Sequence, residues 1–477
     1  MNFDHPMSLP ARGIKSIAWQ ANVHRGVARA SQVSYLLFLF VTLNVILRPS
    51  ELLSVVEGLS IYETLIMGTL LCTLSAVRNQ VLSATLYVRP ISACVIGLCV
   101  AVPLSHLSHA WLSATIESTS LFVKTVLYYL VMLAVIDSPR RLKWFIISIV
   151  TFSWVTVGLC AMDFLEWINL PFIEHFVQYN ELMMEEMAEG QLDPDAVWAV
   201  TRMCGTGIFH DPNDLAILIV SMGLLVTYCL TDKRQGWLRF AWLFPLFVLG
   251  AGLIFTRSRG GLLAGVVGAM TLVLLRYGGK QTVTIALLGA LALPFAAGRQ
   301  TEIDLEDGTG QERIQMWAEG LAELKSPNIL FGIGQGTYGD IAGLVAHNSY
   351  VHAYVELGMF GGTFFFGMFF FALLGMYRIY LVRDQIQDPE LRRLCPFLIA
   401  AMVAWGMGLF SLSRCYVVPT YMIIGLAACF IQLGEQRLRP PRHVTFWNQW
   451  HVIRLAGASA GTLLFFFIFV RVFARFG

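Results

Sequence analysis

The sequence predicts an all-α fold, a polytopic membrane helical bundle of about 12–13 transmembrane helices with a large outer loop that carries short helices. Of the 477 residues, 56% are hydrophobic and only 13% are charged, whereas about 25% of the residues of a soluble globular protein are charged. Most of the chain is therefore expected to face lipid or other helices. Apolar runs close to the roughly 20 residues that a spanning helix needs recur along the whole sequence.

About 13 candidate spans follow one another along the chain. They cover residues 33–48, 58–77, 91–109, 118–137, 144–165, 213–230, 238–256, 260–276, 281–298, 353–381, 395–412, 416–433 and 454–473. The first span is short. The last has two interpretations: if it crosses the membrane, Arg471 and Arg475 end on the outer side against the usual charge bias, and a helix on the membrane surface is the alternative.

The charges of the short loops predict the orientation, because Lys and Arg are enriched on the cytoplasmic side. Residues 1–32 form a basic segment that we expect in the cytoplasm, and 33–477 are predicted to form a single transmembrane domain. Every second loop is then basic, as at Arg140, Arg141 and Lys143, and the intervening loops are poor in Lys and Arg.

Two loops on the outer side are long, and long loops on one face usually carry binding or catalytic groups. They cover residues 166–212 and 299–352, and the C-terminal helices follow at 353–473. Segments 181–188 and 311–325 are expected to be helical. The second segment has one apolar face, which predicts packing on the bundle or on the membrane surface. That face consists of Ile314, Trp317, Leu321 and Leu324.

Two arginines in a turn on the outer side oppose the charge pattern. Arg257 and Arg259 are followed by Gly260 and Gly261, and the next helix begins there. The free amides of a helix N-terminus favour anions, and glycines let a ligand approach the backbone. A guanidinium group can form two parallel hydrogen bonds to the oxygens of one phosphate. The pattern predicts a phosphate or diphosphate site. The alternative is that both side chains extend to the membrane interface without binding a ligand.

A third outer arginine, Arg202, precedes the segment that starts another span. Asp211 or Asn213 is expected to cap that helix, and this explains both residues without any role in binding. Capping does not explain Arg202, for which ligand binding and a structural ion pair are both open.

His347 is a candidate base on the same side, in a segment between Gly332 and Gly358. A neutral imidazole can accept a proton from a hydroxyl group at neutral pH. A structural role is the alternative for a histidine at an interface. His352 and Glu356 are four residues apart on a helix and are expected to pair with each other.

The other polar residues give weaker indications. Glu63 and Lys124 are expected near the outer ends of their spans, where they could line the same cavity. Cys204 and Cys415 could form a disulfide or remain free. The sequence contains no CxxC pair, and we predict no metal, no cofactor and no nucleic-acid partner.

The order of four motifs resembles the bacterial O-antigen ligase and O-antigen polymerase superfamily. The motifs are Arg202 to Asn213, Ser258 to Gly261, Gly332 to Tyr338 and His347 to Gly358. The resemblance implies a metal-independent glycosyltransferase in the inner membrane, with a large periplasmic loop and an active site that faces the periplasm. It implies an undecaprenyl-diphosphate-linked glycan as donor. Attack opposite the departing diphosphate would invert the anomeric configuration.

The family pattern can be carried over onto individual residues of this sequence. It makes His347 the catalytic base and assigns the outer arginines to the diphosphate of the donor. The implied partners are this donor, lipid A-core or another glycan as acceptor, and membrane lipids. The substrate-binding candidates are Arg202, Arg257, Arg259, Asn348 and Arg313.

Ligation of the glycan to a cell-surface acceptor, as in lipopolysaccharide biosynthesis, is the predicted function. An O-antigen polymerase that extends the lipid-linked glycan would share the motifs, because only the acceptor differs. A polysaccharide transporter is a third hypothesis. Transporters usually have internal repeats and helices broken near the membrane midplane, whereas here no repeat is visible and the unusual residues gather on one face.

Overall fold

Helices form almost all of the regular structure in this computed structural model, which describes residues 30–52, 58, 60–170, 172–179, 199–285 and 309–474. In chain order the helices are α1 (Gln32–Ile46), α2 (Pro49–Leu52), α3 (Ile61–Val81), α4 (Ser83–Val88), α5 (Pro90–Leu107), α6 (Leu112–Val135), α7 (Pro139–Phe164), α8 (Pro212–Leu230), α9 (Leu243–Thr256), α10 (Arg259–Tyr277), α11 (Thr309–Glu323), α12 (Tyr338–Ala342), α13 (Ser349–Leu381), α14 (Pro389–Gly408), α15 (Val418–Arg437) and α16 (Gln449–Phe473). Short 3-10 segments cover Gly207–Phe209, Lys233–Trp242, Pro327–Ile329, Arg383–Gln385 and Leu409–Ser411. Strands β1 (Phe176–Tyr179) and β2 (Ala199–Arg202) form an antiparallel hairpin.

Within these ranges, 11 helices are long and apolar enough to cross a membrane, which confirms the predicted all-α polytopic bundle. Helix α1 is shorter, with 15 residues. The spans predicted to start at 353 and 395 start earlier, because Asn348 and Asp388 cap α13 and α14 ahead of the apolar runs. Most of the predicted span 281–298 lies outside the described residues, as does the predicted helix at 181–188.

One end of the bundle, here called the basic end, is held by ion pairs between loops that are distant in sequence. Lys143 Nζ lies 2.8 Å from Asp232 Oδ2 and 3.3 Å from Glu390 Oε1. Arg393 Nη2 lies 3.4 Å from the same Asp232 carboxylate oxygen. The basic loops of the sequence therefore gather at a single end, as the alternation of charge predicts.

The opposite end, here called the loop end, carries the long loops and the N-termini of α8, α10 and α13. Helix α16 reaches from one end to the other. His451 Nε2, in its first turn, lies 3.1 Å from Arg378 Nη2 near the basic end, and the carbonyl of Phe473, its last residue, accepts a hydrogen bond of 3.2 Å from Gln311 Nε2 at the loop end. The surface-helix alternative for this segment is therefore wrong.

The apolar face predicted for the loop helix packs on the bundle. Ile314, Leu321 and Leu324 are buried, and Trp317 Nε1 donates a 2.6 Å hydrogen bond to the carbonyl of Ala346. Helix α11 is thereby fixed against the segment that leads into α13.

Two pairs of titratable residues and the two outer cysteines, singled out in the sequence, can be compared with the structure. Glu63 and Lys124 form an ion pair of 3.1 Å with well-exposed side chains, so they pair with each other at the surface. His352 and Glu356 pair as expected, with 2.8 Å between Nε2 and Oε1. The two outer cysteines are buried and free of any disulfide.

Helix α13 has a kink at Gly358, whose backbone is not helical (φ 63°, ψ −169°). Before the kink, the carbonyls of Val355 and Glu356 accept hydrogen bonds of 3.1 Å from the amides of Ile333 and Gly334. The segment 330–338, here called the glycine loop, thus satisfies carbonyls that the kink leaves without a helical partner.

The kink and the glycine loop require glycine on both sides of their contact. After the kink, the amide of Phe360 donates a 3.1 Å hydrogen bond to the carbonyl of Leu330. A Cβ atom at Gly332 would collide with the backbone of Glu356, and one at Gly358 would collide with the backbone of Leu330. Close approach of two backbones, rather than phosphate binding, therefore explains these two glycines.

We predict that Gly358→Ala destabilises the protein, because the new methyl group meets a backbone and the residue needs a positive φ. The expected loss is about 1–3 kcal/mol or more, visible as a lower thermal unfolding midpoint in detergent. Gly339→Ala is the control, since no atom lies within 4 Å of its Cβ position and its φ is not positive. Equal midpoints for both variants would contradict this account of the kink.

Candidate active site

Arg202 lies at the end of the β1–β2 hairpin, at the loop end of the bundle. Its backbone pairs with Phe176, and its guanidinium carbon lies 6.0 Å from the centre of the Phe176 ring. Its Nε donates a 3.0 Å hydrogen bond to the carbonyl of Thr256, and its Nη2 donates one of 2.9 Å to Asn213 Oδ1. The hairpin therefore holds Arg202 against the junction of α8, α9 and α10.

Asn213 and Ser258 connect the N-termini of α8 and α10. Ser258 caps α10, and its hydroxyl accepts a 3.0 Å hydrogen bond from the amide of Gly261. The same hydroxyl donates a 2.7 Å hydrogen bond to Asn213 Oδ1, which also accepts from Arg202. Two helix N-termini, each with a partial positive charge, thus lie beside a guanidinium group, an arrangement that favours an anion.

Arg257 and Arg259 are both exposed at the turn between α9 and α10. Arg257 ends α9 in the left-handed region (φ 49°), and Arg259 is the first residue of α10. The positive charge of Arg259 is one of those that lower the pKa of Arg202, after burial, which has the largest effect. Arg257 is not among the described charges that act on Arg202 or His347. The electrostatic effect on Arg202 therefore links Arg259, rather than Arg257, to the site.

Asp211 is the carboxylate around which the charged groups of the loop end gather. Its Oδ1 caps α8 by accepting a 2.7 Å hydrogen bond from the amide of Asn213. Burial lowers the pKa of Arg202 and of Arg313, and the Asp211 carboxylate raises both. It also raises the pKa of His347 against the larger effect of burial. Arg202, Arg313 and His347 consequently lie within electrostatic range of the same carboxylate.

His347 has an unusual backbone conformation for a residue other than glycine. Its φ of 47° lies in the left-handed region, which costs of order 1–3 kcal/mol and is found most often at functional sites. Both neighbours are fixed: the carbonyl of Ala346 accepts from Trp317, and Asn348 is the N-cap of α13. The fold therefore holds the His347 imidazole in place despite the strain.

The environment of His347 favours the neutral imidazole. Burial lowers its pKa below the ordinary value of 6.5, and the positive charge of Arg313 lowers it further, while Asp211 raises it. Arg414 also lowers it. A half-buried, neutral imidazole surrounded by guanidinium groups can accept a proton at pH 7.

Asn348 has a structural role in the described residues. Its Oδ1 accepts hydrogen bonds of 3.0 and 3.2 Å from the amides of Tyr350 and Val351, and its side chain is fully buried. Its Nδ2 has no hydrogen-bond partner within the part of the chain that the structure describes. Capping thus occupies the amide oxygen, and only the nitrogen is available for a ligand.

Arg414 is a site residue that the sequence reasoning missed. Its guanidinium group binds the Asp214 carboxylate through Nε, 2.8 Å from each oxygen, and through Nη2 at 2.5 Å. Its backbone amide donates a 2.8 Å hydrogen bond to Ser349 Oγ, two residues after His347. The signal was present, since Arg414 is another arginine in a short loop on the side that is poor in Lys and Arg.

The described residues contain no group of three or more His, Cys, Asp or Glu side chains that could hold a metal ion. The charged groups that the site does offer are guanidinium groups, one imidazole and two carboxylates. Such a set can bind a phosphate or diphosphate and can accept a proton from a hydroxyl group.

Comparison with family models gives a match over the part of the chain that contains several of these residues. Residues 244–366 match the O-antigen ligase family. The match covers about a quarter of the chain and runs from α9 into α13, so it contains Ser258, Arg313 and His347. The resemblance to O-antigen ligases seen in the motifs is confirmed over these residues. Arg202 and Arg414 lie outside the O-antigen ligase match, and comparison with curated proteins gave no match.

Because Arg414 and Asp214 form an ion pair and are buried to different extents, we expect Arg414→Ala and Asp214→Ala to lower the free energy of unfolding by different amounts. The Asp214 side chain is 5% exposed and that of Arg414 is 34% exposed. Arg414→Ala leaves a buried carboxylate without a partner and should cost about 3–5 kcal/mol. Asp214→Ala should cost less, because the guanidinium group can turn toward water.

The measurement is the free energy of unfolding of both variants in denaturant. Arg442→Ala, which removes an exposed arginine at the basic end, is the control and should be close to neutral. A larger loss for Asp214→Ala than for Arg414→Ala would contradict the burial argument.

Proposed function

We propose that the chain is a glycosyltransferase of the O-antigen ligase type, which moves a glycan from undecaprenyl diphosphate to an acceptor hydroxyl group on the periplasmic side of the bacterial inner membrane. One observation carries the proposal: Arg202, Arg313 and His347, from three separate segments of the chain, lie within electrostatic range of Asp211 at one end of the bundle. The match to O-antigen ligases over residues 244–366 supports the same chemistry.

In this proposal the guanidinium groups bind the leaving group. When the bond between the anomeric carbon and the phosphate oxygen breaks, its electron pair goes to the diphosphate. Fixed positive charges in a half-buried site stabilise that developing negative charge better than water does. Arg202 and Arg313 are the main binding residues, and Arg259 and the amides at the start of α10 also contribute. The guanidinium groups would supply the charge stabilisation without a metal ion.

His347 is the general base of the proposed reaction. It takes the proton of the acceptor hydroxyl group while the oxygen forms a bond to the anomeric carbon. We place the base on one side of that carbon and the departing diphosphate on the other, so that in-line attack would invert the anomeric configuration. The lowered pKa of His347 keeps the base in its active, neutral form near pH 7.

The membrane provides the remaining specificity of the proposed reaction. The polyprenyl tail of the donor stays in the hydrocarbon region, and the diphosphate lies at the interface beside the N-termini of α8 and α10. Lipid A-core is the proposed acceptor. A polymerase would instead use a second lipid-linked glycan, so the acceptor distinguishes the two enzymes.

The test uses purified protein, a polyprenyl-diphosphate oligosaccharide and two acceptors, lipid A-core and a second copy of the donor. We expect product on lipid A-core, and chain growth on the donor would instead identify a polymerase. His347→Ala should reduce turnover by about 10²–10⁴, the usual contribution of a general base. His210→Gln changes an exposed histidine at the same end and should keep full activity. Retained turnover in folded His347→Ala would reject the base.

Substitutions of the two charged neighbours of His347 should shift the acidic limb of the kcat/KM pH profile in opposite directions. In the wild type, the acidic limb should lie below pH 6.5, because burial and Arg313 lower the pKa of His347. Arg313→Gln removes a positive charge and should move the limb to higher pH. Asp211→Asn keeps a capping side chain but removes a negative charge, and should move the limb to lower pH. Identical limbs in all three proteins would show that another group is the base.

A further inference from the structure

A second cluster of aromatic and polar side chains lies at the loop end, where the turn between α5 and α6 meets the glycine loop. The Trp111 ring stacks on the His109 ring, with centres 4.8 Å apart and planes 25° apart. His109 Nε2 lies 3.0 Å from the carbonyl oxygen of Gly332 and hydrogen bonds to it. Trp111 is 45% exposed, so a rigidly supported indole face remains open.

The glycine loop approaches this aromatic pair closely. A Cβ atom at Gly334 would lie 3.1 Å from His106 Nδ1 and 3.1 Å from Trp111 Cζ3. The next residue, Gln335, is tied to α5 because its amide donates a 3.2 Å hydrogen bond to Ser105 Oγ. The backbone of Gln335 is thereby held close to His106 and Trp111.

Polar atoms in this cluster lack partners among the described residues. The Gln335 side-chain oxygen accepts no hydrogen bond, and neither ring nitrogen of His106 makes a well-aligned one, although one approaches the backbone carbonyl of Gln335. His106 is only 2% exposed. A buried polar group without a hydrogen bond is unfavourable, and a ligand that supplies the missing bond removes this penalty.

We infer that His106, Trp111 and Gln335 form a saccharide-binding subsite that holds glycan units remote from the transferred bond. An exposed indole face can pack on the apolar face of a pyranose ring, and the partly exposed Gln335 side chain can hydrogen bond its hydroxyl groups. The inference rests on the proposed function, because it adds a subsite for the glycan of the same reaction.

The glycine loop connects the subsite to the proposed base. Tyr338 follows Gln335 by three residues, and its ring centre lies 5.3 Å from that of His352. His352 follows His347 by five residues at the start of α13. A glycan with one sugar at His347 would extend along the glycine loop to reach Trp111, so only substrates longer than one sugar should contact the subsite.

An exposed tryptophan near the end of a spanning helix could instead serve as an interfacial anchor. An anchor requires neither a stacked histidine nor polar atoms without partners beside it. Trp167, 72% exposed just after α7, offers a matched control at the same end of the bundle.

The test compares Trp111→Ala, Gln335→Ala and Trp167→Ala in transfer assays with two pairs of substrates. One pair is a polyprenyl-diphosphate oligosaccharide and the same lipid trimmed to a single sugar; the other is lipid A-core and the same acceptor with a shortened core. Loss of one stacking contact should lower kcat/KM for a long substrate about three- to tenfold. Trimmed substrates should react as with wild type, and Trp111→Phe should restore part of the loss.

The pattern of losses distinguishes the possible results. A loss that depends on donor length assigns the subsite to the donor glycan, and one that depends on acceptor length assigns it to the acceptor. Losses in Trp111→Ala that are independent of length, or equal to those of Trp167→Ala, would overturn the subsite. If the wild type transferred neither donor, the proposed function would fail separately. Saturation-transfer NMR with the lipid-free oligosaccharide would then decide whether Trp111→Ala loses saccharide binding.

Discussion

Excess positive charge at a half-buried boundary is the constraint on which the rest of the site depends. Arg202, Arg313 and Arg414 all lie within electrostatic range of Asp211 at the loop end, and Asp211 and Asp214 balance only part of their charge. Desolvated guanidinium groups are costly unless they are paired. Helix caps, the β1–β2 hairpin and the loop helix α11 hold these charged side chains in place despite that cost. An arrangement with surplus positive charge is suited to an anion that carries more than one negative charge, such as a diphosphate.

His347 is held in place by contacts with other parts of the fold as well as by its own helix cap. His347 has a strained backbone, and the strain persists because Trp317 bonds the residue before it and Asn348 caps the helix after it. Further along α13, the kink at Gly358 admits the glycine loop, whose other residues reach Trp111. The elements that bear the proposed chemistry and the proposed glycan contacts are thus tied together by backbone hydrogen bonds, which would keep the distance between them constant during a reaction cycle.

Much of this organisation could be predicted from the sequence, because membrane spans and loop charges follow strong physical rules. Arg202 and His347 stood out as polar groups on the side that is poor in Lys and Arg. Arg414 was missed although it follows the same rule, because its loop is short and its partner Asp214 lies 200 residues away. The sequence could not separate Arg257 from Arg259 either, since it does not show that Arg257 ends α9 in a left-handed conformation and that Arg259 begins α10.

The most direct test of the account is the pKa of His347, measured by NMR on histidine-labelled protein in nanodiscs with and without undecaprenyl diphosphate. The His347 signal is assigned by its loss in His347→Gln. We expect a pKa below 6.5 in the free protein and a clear rise when the diphosphate binds, because its negative charge would lie beside the imidazole. A pKa that is unchanged by saturating diphosphate would contradict a shared site for the base and the leaving group.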